Sequence, residues 1–315
     1  RRWLGLAVVP AALALFGAVA PAQAATFANC NDIPSTGHIG SVTVTQVGDC
    51  DIPFDLNYPD GTTLLITNGK LTTRKITSDN GEIFLSSTNS TVETKQLSAG
   101  TTIRVIAGLQ GGTAASSITI DGDVISNVAN TSTNNGNIML RAWGLIKTKD
   151  IKTNGTMGPA SLRSGAVQID ADMSGQNNVL FTIGADTANG VNGNINTRSV
   201  NGGGNNPIGT VESGVRITNG TTNSTGGITL TDPKNIKLGN SSSRAGQVEL
   251  NARKGTITLP VGQLDASGET GQGAGFIFLL ADKIVTADGT KINARQNQTL
   301  PGTIHQIVIA ARTIE

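Results

Sequence analysis

Two pairs of carboxylates stand at spacings that could do chemistry. Asp170 and Asp172 alternate with Ile169 and Ala171, so on one extended strand both carboxylates face outward together. Asp121 and Asp123 flank Gly122 and fit a turn instead. Paired carboxylates, or calcium-binding aspartates beside a basic proton acceptor, cleave polysaccharides. A polysaccharide lyase or glycoside hydrolase would therefore rest on Asp170 and Asp172. Its other parts are missing, because the only two histidines, His38 and His305, lie far apart in sequence. The Asp-Asp and Gly-His-Gly signatures of polygalacturonase-type enzymes do not occur either, and one tyrosine with two tryptophans makes a sparse platform for sugars.

Nucleophile, phosphate and metal chemistry find less support. Gly202-Gly203-Gly204 has no lysine after it in the place a phosphate loop needs. Cys30 and Cys50 are the only cysteines, and two thiols without a histidine pair do not complete a tetrahedral metal set. In an exported chain they form a disulfide. No metal and no cofactor are expected. With a net charge of +1 and 14% charged residues, the chain also lacks the basic stripe of a nucleic-acid binder.

The elements that must position these side chains are short strands. One phrase, apolar residues at alternate positions and then alanine, recurs at Ile103–Ala107, Ile138–Ala142, Val167–Ala171, Val248–Ala252, Ile277–Ala281 and Ile307–Ala311. Each reads as a strand with one buried face. From Ile138 to Val167 and from Val248 to Ile277 the step is 29 residues, and from Ile277 to Ile307 it is 30; a near-constant step means a stacked array. Val42–Val44, Ile83–Leu85, Ile118–Ile120, Phe181–Ile183, Val215–Ile217 and Ile228–Leu230 are read as further strands filling the intervals. The fold class expected is all-β, a right-handed single-stranded parallel β-helix (solenoid) of roughly ten to twelve coils at about 4.8 Å each. Asn-Gly pairs beginning at Asn68, Asn80, Asn135, Asn154, Asn189, Asn192, Asn201 and Asn219 are expected where the backbone needs positive φ. Asn-Gly would equally suit the hairpins of a β-sandwich or meander, but a step of about 29 residues is too long for a hairpin.

The phrases Gly246–Ala252, Gly275–Ala281 and Gly136–Ala142 resemble the G-x-[IV]-x-[LI]-x-A repeats of filamentous-haemagglutinin-like bacterial surface proteins. The resemblance covers repeats across most of the chain after residue 24 and marks an architecture more than an activity. It implies a secreted adhesin-like β-helix.

Arg1-Arg2, the apolar run to Ala20 and Pro21-Ala22-Gln23-Ala24 read as a cleaved signal peptide over residues 1–24, hence a secreted or outer-membrane-associated protein. Residues 25–60 are expected to cap the rod through the disulfide, with coils over 61–315 and beyond. Phe276, Phe278 and Leu280 lie opposite the core positions of their strand and form a candidate docking patch. The last coil ends on apolar residues at Ile314, which suggests continuation of the chain, docking on a partner or self-association. The functional expectation is an exported structural or adhesin-like β-helix without catalytic activity, binding host-cell or matrix glycans or another surface protein and no nucleic acid. The alternative is the lyase or hydrolase above.

Overall fold

The computed structural model describes residues 25–34, 41–58, 61–128, 136–155, 166–197, 214–237, 247–266, 276–294 and 306–315. Apart from two 3-10 turns at Cys30–Asp32 and Pro233–Asn235, their regular structure is all strand. The strands stack into two sheets of 11 strands, one of 7 and one of 2, and every described pairing is parallel, as in Val42 to Thr63 or Leu97 to Val124. The chain visits the sheets in turn and then lies beside its own previous pass. That is a parallel β-helix, and twisted strands accept the crossover from one coil to the next in the right-handed sense.

Coils are numbered by their strand in the first sheet: Ala25–Phe27 (coil 1), Val42–Gln46, Thr63–Thr67, Ile83–Ser87, Ile103–Ala107, Ile138–Ala142, Val167–Ala171, Gly214–Asn219, Gln247–Asn251, Phe276–Leu280 and Gln306–Ala310 (coil 11). The second sheet runs from Cys50–Ile52 to Thr313–Ile314, and the third from Leu56–Asn57 to Ile236–Lys237. Gly262–Asp265 and Thr290–Asn293 pair separately, in coils 9 and 10.

Alternation sets the inside. Val44, Leu65, Leu85, Val105, Leu140, Ile169, Ile217, Leu250 and Leu279 form one register column, and all are fully buried. Each such side chain contributes roughly 1.5–3 kcal/mol relative to exposure. In coil 11 nothing described stacks on the outer side, and Ile307 and Ile309 are exposed.

Next to this column, where the first sheet turns into the second, only small or amide side chains fit: Thr67, Ser87, Ala107 and Ala142 in one run, then Ala171 and Asn219. This column corrects the repeat. The steps Val42 to Thr63, Thr63 to Ile83 and Ile83 to Ile103 are 21, 20 and 20 residues. Val42–Val44, Ile83–Leu85 and Val215–Ile217 are therefore not interval strands but first-sheet strands equivalent to the alanine phrases. Early coils place threonine or serine where later ones place alanine, so the phrase does not reveal them. Ser87 Oγ, for example, donates to Gly69 O at 2.6 Å in the turn before.

The boundary at residue 61 is not structural, because strands of residues 25–60 already stand in all three sheets. What caps the rod is the 3-10 turn Cys30–Asp32, packed on the edge strand Cys50–Ile52 and joined to it by the Cys30–Cys50 disulfide, Cα to Cα 5.6 Å. The glycine expectation also divides. Gly190, Gly193 and Gly220 follow asparagine at positive φ, but Gly69 and Gly81 do not. There a Cβ would lie 2.5 Å from Gly48 C and 1.9 Å from Gly61 O, so glycine permits stacked turns to touch. Asn135 and Asn201, like residues 1–24, His38, His305 and Gly202–Gly204, lie outside the described residues.

Coil 7 departs from the pattern. Its chain enters the second sheet at Phe181–Ile183 beside coil 8, then returns at Gly190–Val191 between that strand and coil 6. One wall thus gains a strand that the first sheet lacks.

Candidate functional site

The structure separates Asp170 from Asp172. Asp170 lies on the outer face of Val167–Ala171 and is almost fully buried, its Oδ2 accepting from Arg141 Nη2 at 2.8 Å, Arg141 Nε at 3.1 Å and Gln168 Nε2 at 2.7 Å. Arg141 is its register partner one coil back. Asp172 does not share that face. The strand ends at Ala171, and Asp172 adopts φ of 48°, which turns the chain and drives its side chain into the protein. There Oδ1 accepts from Ser174 Oγ, Asn177 N and Asn177 Nδ2, and Oδ2 from Asn178 N and Ser224 Oγ, all at 3.0–3.3 Å. The expected outward pair is corrected: one carboxylate is covered on the outer face by its ion pair with Arg141, the other is a fully buried turn organiser.

The buried group continues through coil 7. In earlier coils the first N–H of a second-sheet strand donates to the next coil's backbone, Val92 to Ser117 O and Ile118 to Leu145 O. At Ile146 the acceptor is the side chain of Asn189, at 3.0 Å. Asn189 Nδ2 donates to Asn219 Oδ1, and Asn219 Nδ2 donates to Val179 O and Gly227 O. Buried backbone groups need partners, and these two amides supply them where the extra strand interrupts the ladder.

Asp121 and Asp123 lie, as expected, in a turn, between Ile118–Ile120 and Val124–Val128. This turn is part of the corner joining the second sheet to the third, where an open groove of about 410 Å³ crosses coils 2 to 6. Register builds it. Ile76, Leu97, Val124 and Ile151 are aligned in the third sheet, and the residue two places before each is Arg74, Lys95, Gly122 and Lys149. The residue one place before each is Lys75, Gln96, Asp123 and Asp150. Basic side chains thus recur on one line and meet carboxylates on the next.

At Gly122 the basic line has a gap, since a Cβ would lie 2.1 Å from Lys95 O. Asp121 fills the space above it, its carboxylate 2.8 Å from Lys95 Nζ and 3.5 Å from Lys149 Nζ. The Lys95 hydrogen bond and charge, with Lys149 adding to them, hold the Asp121 carboxyl below the usual carboxylate range. Lys152 lies 3.1 Å from Asp150 and 3.6 Å from Asp123; its hydrogen bond to Asp150 is the main reason its ammonium is held above the usual lysine range. Arg74 Nε is 3.6 Å from Asp55, and Lys75 makes no ion pair among the described residues. A general acid at neutral pH needs a raised carboxyl pKa, and Asp121 is shifted the other way. The corner is arranged to hold charge.

Attention to carboxylates alone missed this line of bases. Its signal is legible as a basic residue two places before an apolar one at Arg74-Lys75-Ile76, Lys95-Gln96-Leu97 and Lys149-Asp150-Ile151.

Phe276, Phe278 and Leu280 lie on the outer face of coil 10, half-buried, with the phenyl rings stacked at 6.4 Å. Val308 and Ala310 extend the apolar surface into coil 11. Among the described residues no group of three or more His, Cys, Asp or Glu side chains is placed to hold a metal ion. No family model, curated protein or solved structure matches the chain.

Proposed function

We propose that this chain is an exported, surface-displayed structural and adhesin-like β-helix without catalytic activity, akin to the filamentous-haemagglutinin-like proteins that its phrases resemble. The observation that carries the reading is the state of its candidate carboxylates. Asp170 is paired with Arg141, Asp172 is buried under five hydrogen bonds, and Asp121 is held ionised between two lysines. Asp170 and Asp172 are committed to donors within the protein, and Asp121 is shifted away from the range of a general acid. The long stacked walls instead offer repeated, outward-facing positions at a fixed spacing, which suits contact with extended partners such as host-cell or matrix glycans or another surface protein. The reading needs no cofactor and no nucleic acid, and it includes self-association through the exposed Ile307 and Ile309 of coil 11.

The test is a screen of the purified chain against anionic polysaccharides for unsaturated products or new reducing ends, run beside saturable binding to cells and immobilised glycans. Binding without turnover is expected. Turnover that is lost in Asp170→Asn or Asp121→Asn would overturn the reading in favour of a lyase or hydrolase. Light scattering across a concentration series tests self-association, which a concentration-independent monomer would exclude.

A further inference from the structure

The corner groove combines features that a plain solvated surface does not need together. It runs along the stack, so any repeating ligand laid in it meets equivalent positions coil after coil. Its cations are Arg74, Lys75, Lys95 and Lys149, against the carboxylates of Asp55, Asp121 and Asp123. From Arg74 in coil 3 to Lys149 in coil 6 is three strand spacings, roughly 14 Å. The volume of about 410 Å³ is in the range that accommodates small ligands or a few residues of a polymer, ~300–1,000 Å³.

The position of Asp121 carries the argument further. Gly122 removes one side chain from the basic line, and a carboxylate then sits over the gap in contact with the two flanking ammonium groups. The protein therefore displays, on its own surface, how this corner receives a carboxylate. That carboxylate is more than half exposed, as is Lys95, so solvent screens the pairing and another anion can compete for it. Lys75, with no ion pair among the described residues, and Arg74, with a long one to Asp55, provide a second cationic position one coil beyond Lys95. The groove also holds Asp55, Gln96 and Asp123, whose oxygens accept hydrogen bonds from hydroxyl groups. Cations for an acid group beside acceptors for hydroxyls suit an acidic sugar chain. No aromatic side chain lines the groove, so it lacks the stacking platform of a single-stranded nucleic-acid site.

We propose that this corner binds a linear polysaccharide bearing carboxylate groups, with Lys95 and Lys149 forming one anion subsite, Arg74 and Lys75 the next, and Asp121 acting as an internal competitor for the first. The proposal rests on the adhesive reading above and gives it a ligand class and a location. Its distinctive consequence is that removing an acidic residue from the groove strengthens binding.

The experiment measures binding of the full chain to polygalacturonate at two salt concentrations, with dextran as the neutral arm and dextran sulfate as the sulfate arm. Polygalacturonate is expected to bind more weakly as salt rises, and dextran not at all. Lys95→Gln and Lys149→Gln should each weaken binding about two- to fivefold, and Asp121→Asn should tighten it by a similar factor, the range in which exposed ion pairs contribute. Equal melting temperatures across the variants establish that the fold is intact. Affinity unchanged in all three variants overturns the proposal, as does weakening by Asp121→Asn or binding confined to dextran sulfate. Saturable cell binding that persists through those failures would leave the adhesive reading standing; its absence in the parent chain would sink that reading instead.

Discussion

Coils 3 and 4 each advance by 20 residues, and coil 7 takes 48, from Val167 to Val215. Both keep the first sheet in register, but they do so by different physics. The short coils have just enough chain to visit three walls, so alternation, small corner residues and touching glycines determine the path. The long coil returns to the second sheet, and its buried backbone is satisfied by side chains: Asp172 organises one turn while Asn189 and Asn219 replace carbonyls and N–H groups of the ladder. A tight coil is specified by what it excludes, a wide one by the polar groups it must bury.

Breaking the tight side should have the largest effect. Leu85→Asp puts an unpaired carboxylate into a dry column between Leu65 and Val105. A loss of about 4–5 kcal/mol or more is expected in denaturant unfolding. Near-parent stability would mean that this column is not sealed.

Next comes the wide side. Asp172→Ala leaves Asn177 N, Asn178 N and the Ser224 hydroxyl without their acceptor, at a cost of about 3 kcal/mol. Hydrogen exchange should rise over residues 172–180 and 219–227 and stay unchanged over coils 3 and 4. Asp170→Asn keeps the shape and an acceptor oxygen on the outer face beside the partly exposed Arg141, so it should cost less, about 1–2 kcal/mol. Equal losses would erase the inward and outward distinction between the two aspartates.

Alkaline pH probes the tight side as well. Tyr58 is buried in coil 2, and burial pushes its phenol up to about 12 from 10.0. The unfolded chain releases this proton first, so the contribution is fully present below pH 10 and is lost as pH rises toward 12. By then it amounts to about 2 kcal/mol. As Tyr58 is the only tyrosine, ultraviolet difference absorbance follows it alone, and Tyr58→Phe should lack this part of the alkaline loss. Titration with an ordinary phenol midpoint would show that coil 2 is open to water. The smallest effect is expected at Glu249→Ala, within about 0.5–1 kcal/mol, because its partner Arg216 is half exposed. A larger loss would show that outer positions carry more of the stability than the core argument allows.

The same contrast explains what could be read from the residues. Strands ending in alanine from Ile103 onward announced the stacked array, and Cys30 with Cys50 announced the cap. Of the short coils, Ile83–Leu85 was legible as a strand but not as a repeat and Thr63–Thr67 was not read at all, because Thr67 and Ser87 replace alanine at the corner. Asp172 was misplaced because alternation carries no mark of where a strand stops; the turn lies in its φ and in donors from Ser224, 52 residues away. Asn251 shows the same limit. It alternates with Leu250 like a surface residue, yet it is buried and accepts from Arg253 N. The charged corner required registering Lys95 with Arg74 and Lys149 across separate coils, which no local window contains.

The bonds between coils, such as Val42 N to Thr62 O and Ile83 N to Thr102 O, link each coil to the next and so run along the stack. A pull along the rod therefore loads them a few at a time, and the protein yields by peeling, one coil after another, at modest force. At the Cys30 end the load meets a covalent bond instead and passes directly to Cys50. The residues between them, 31–49, including the strand Val42–Gln46, are shielded from tension entering ahead of Cys30. Once Ala25–Phe27 has come away from Val42–Gln46, peeling from that end can resume only beyond Cys50.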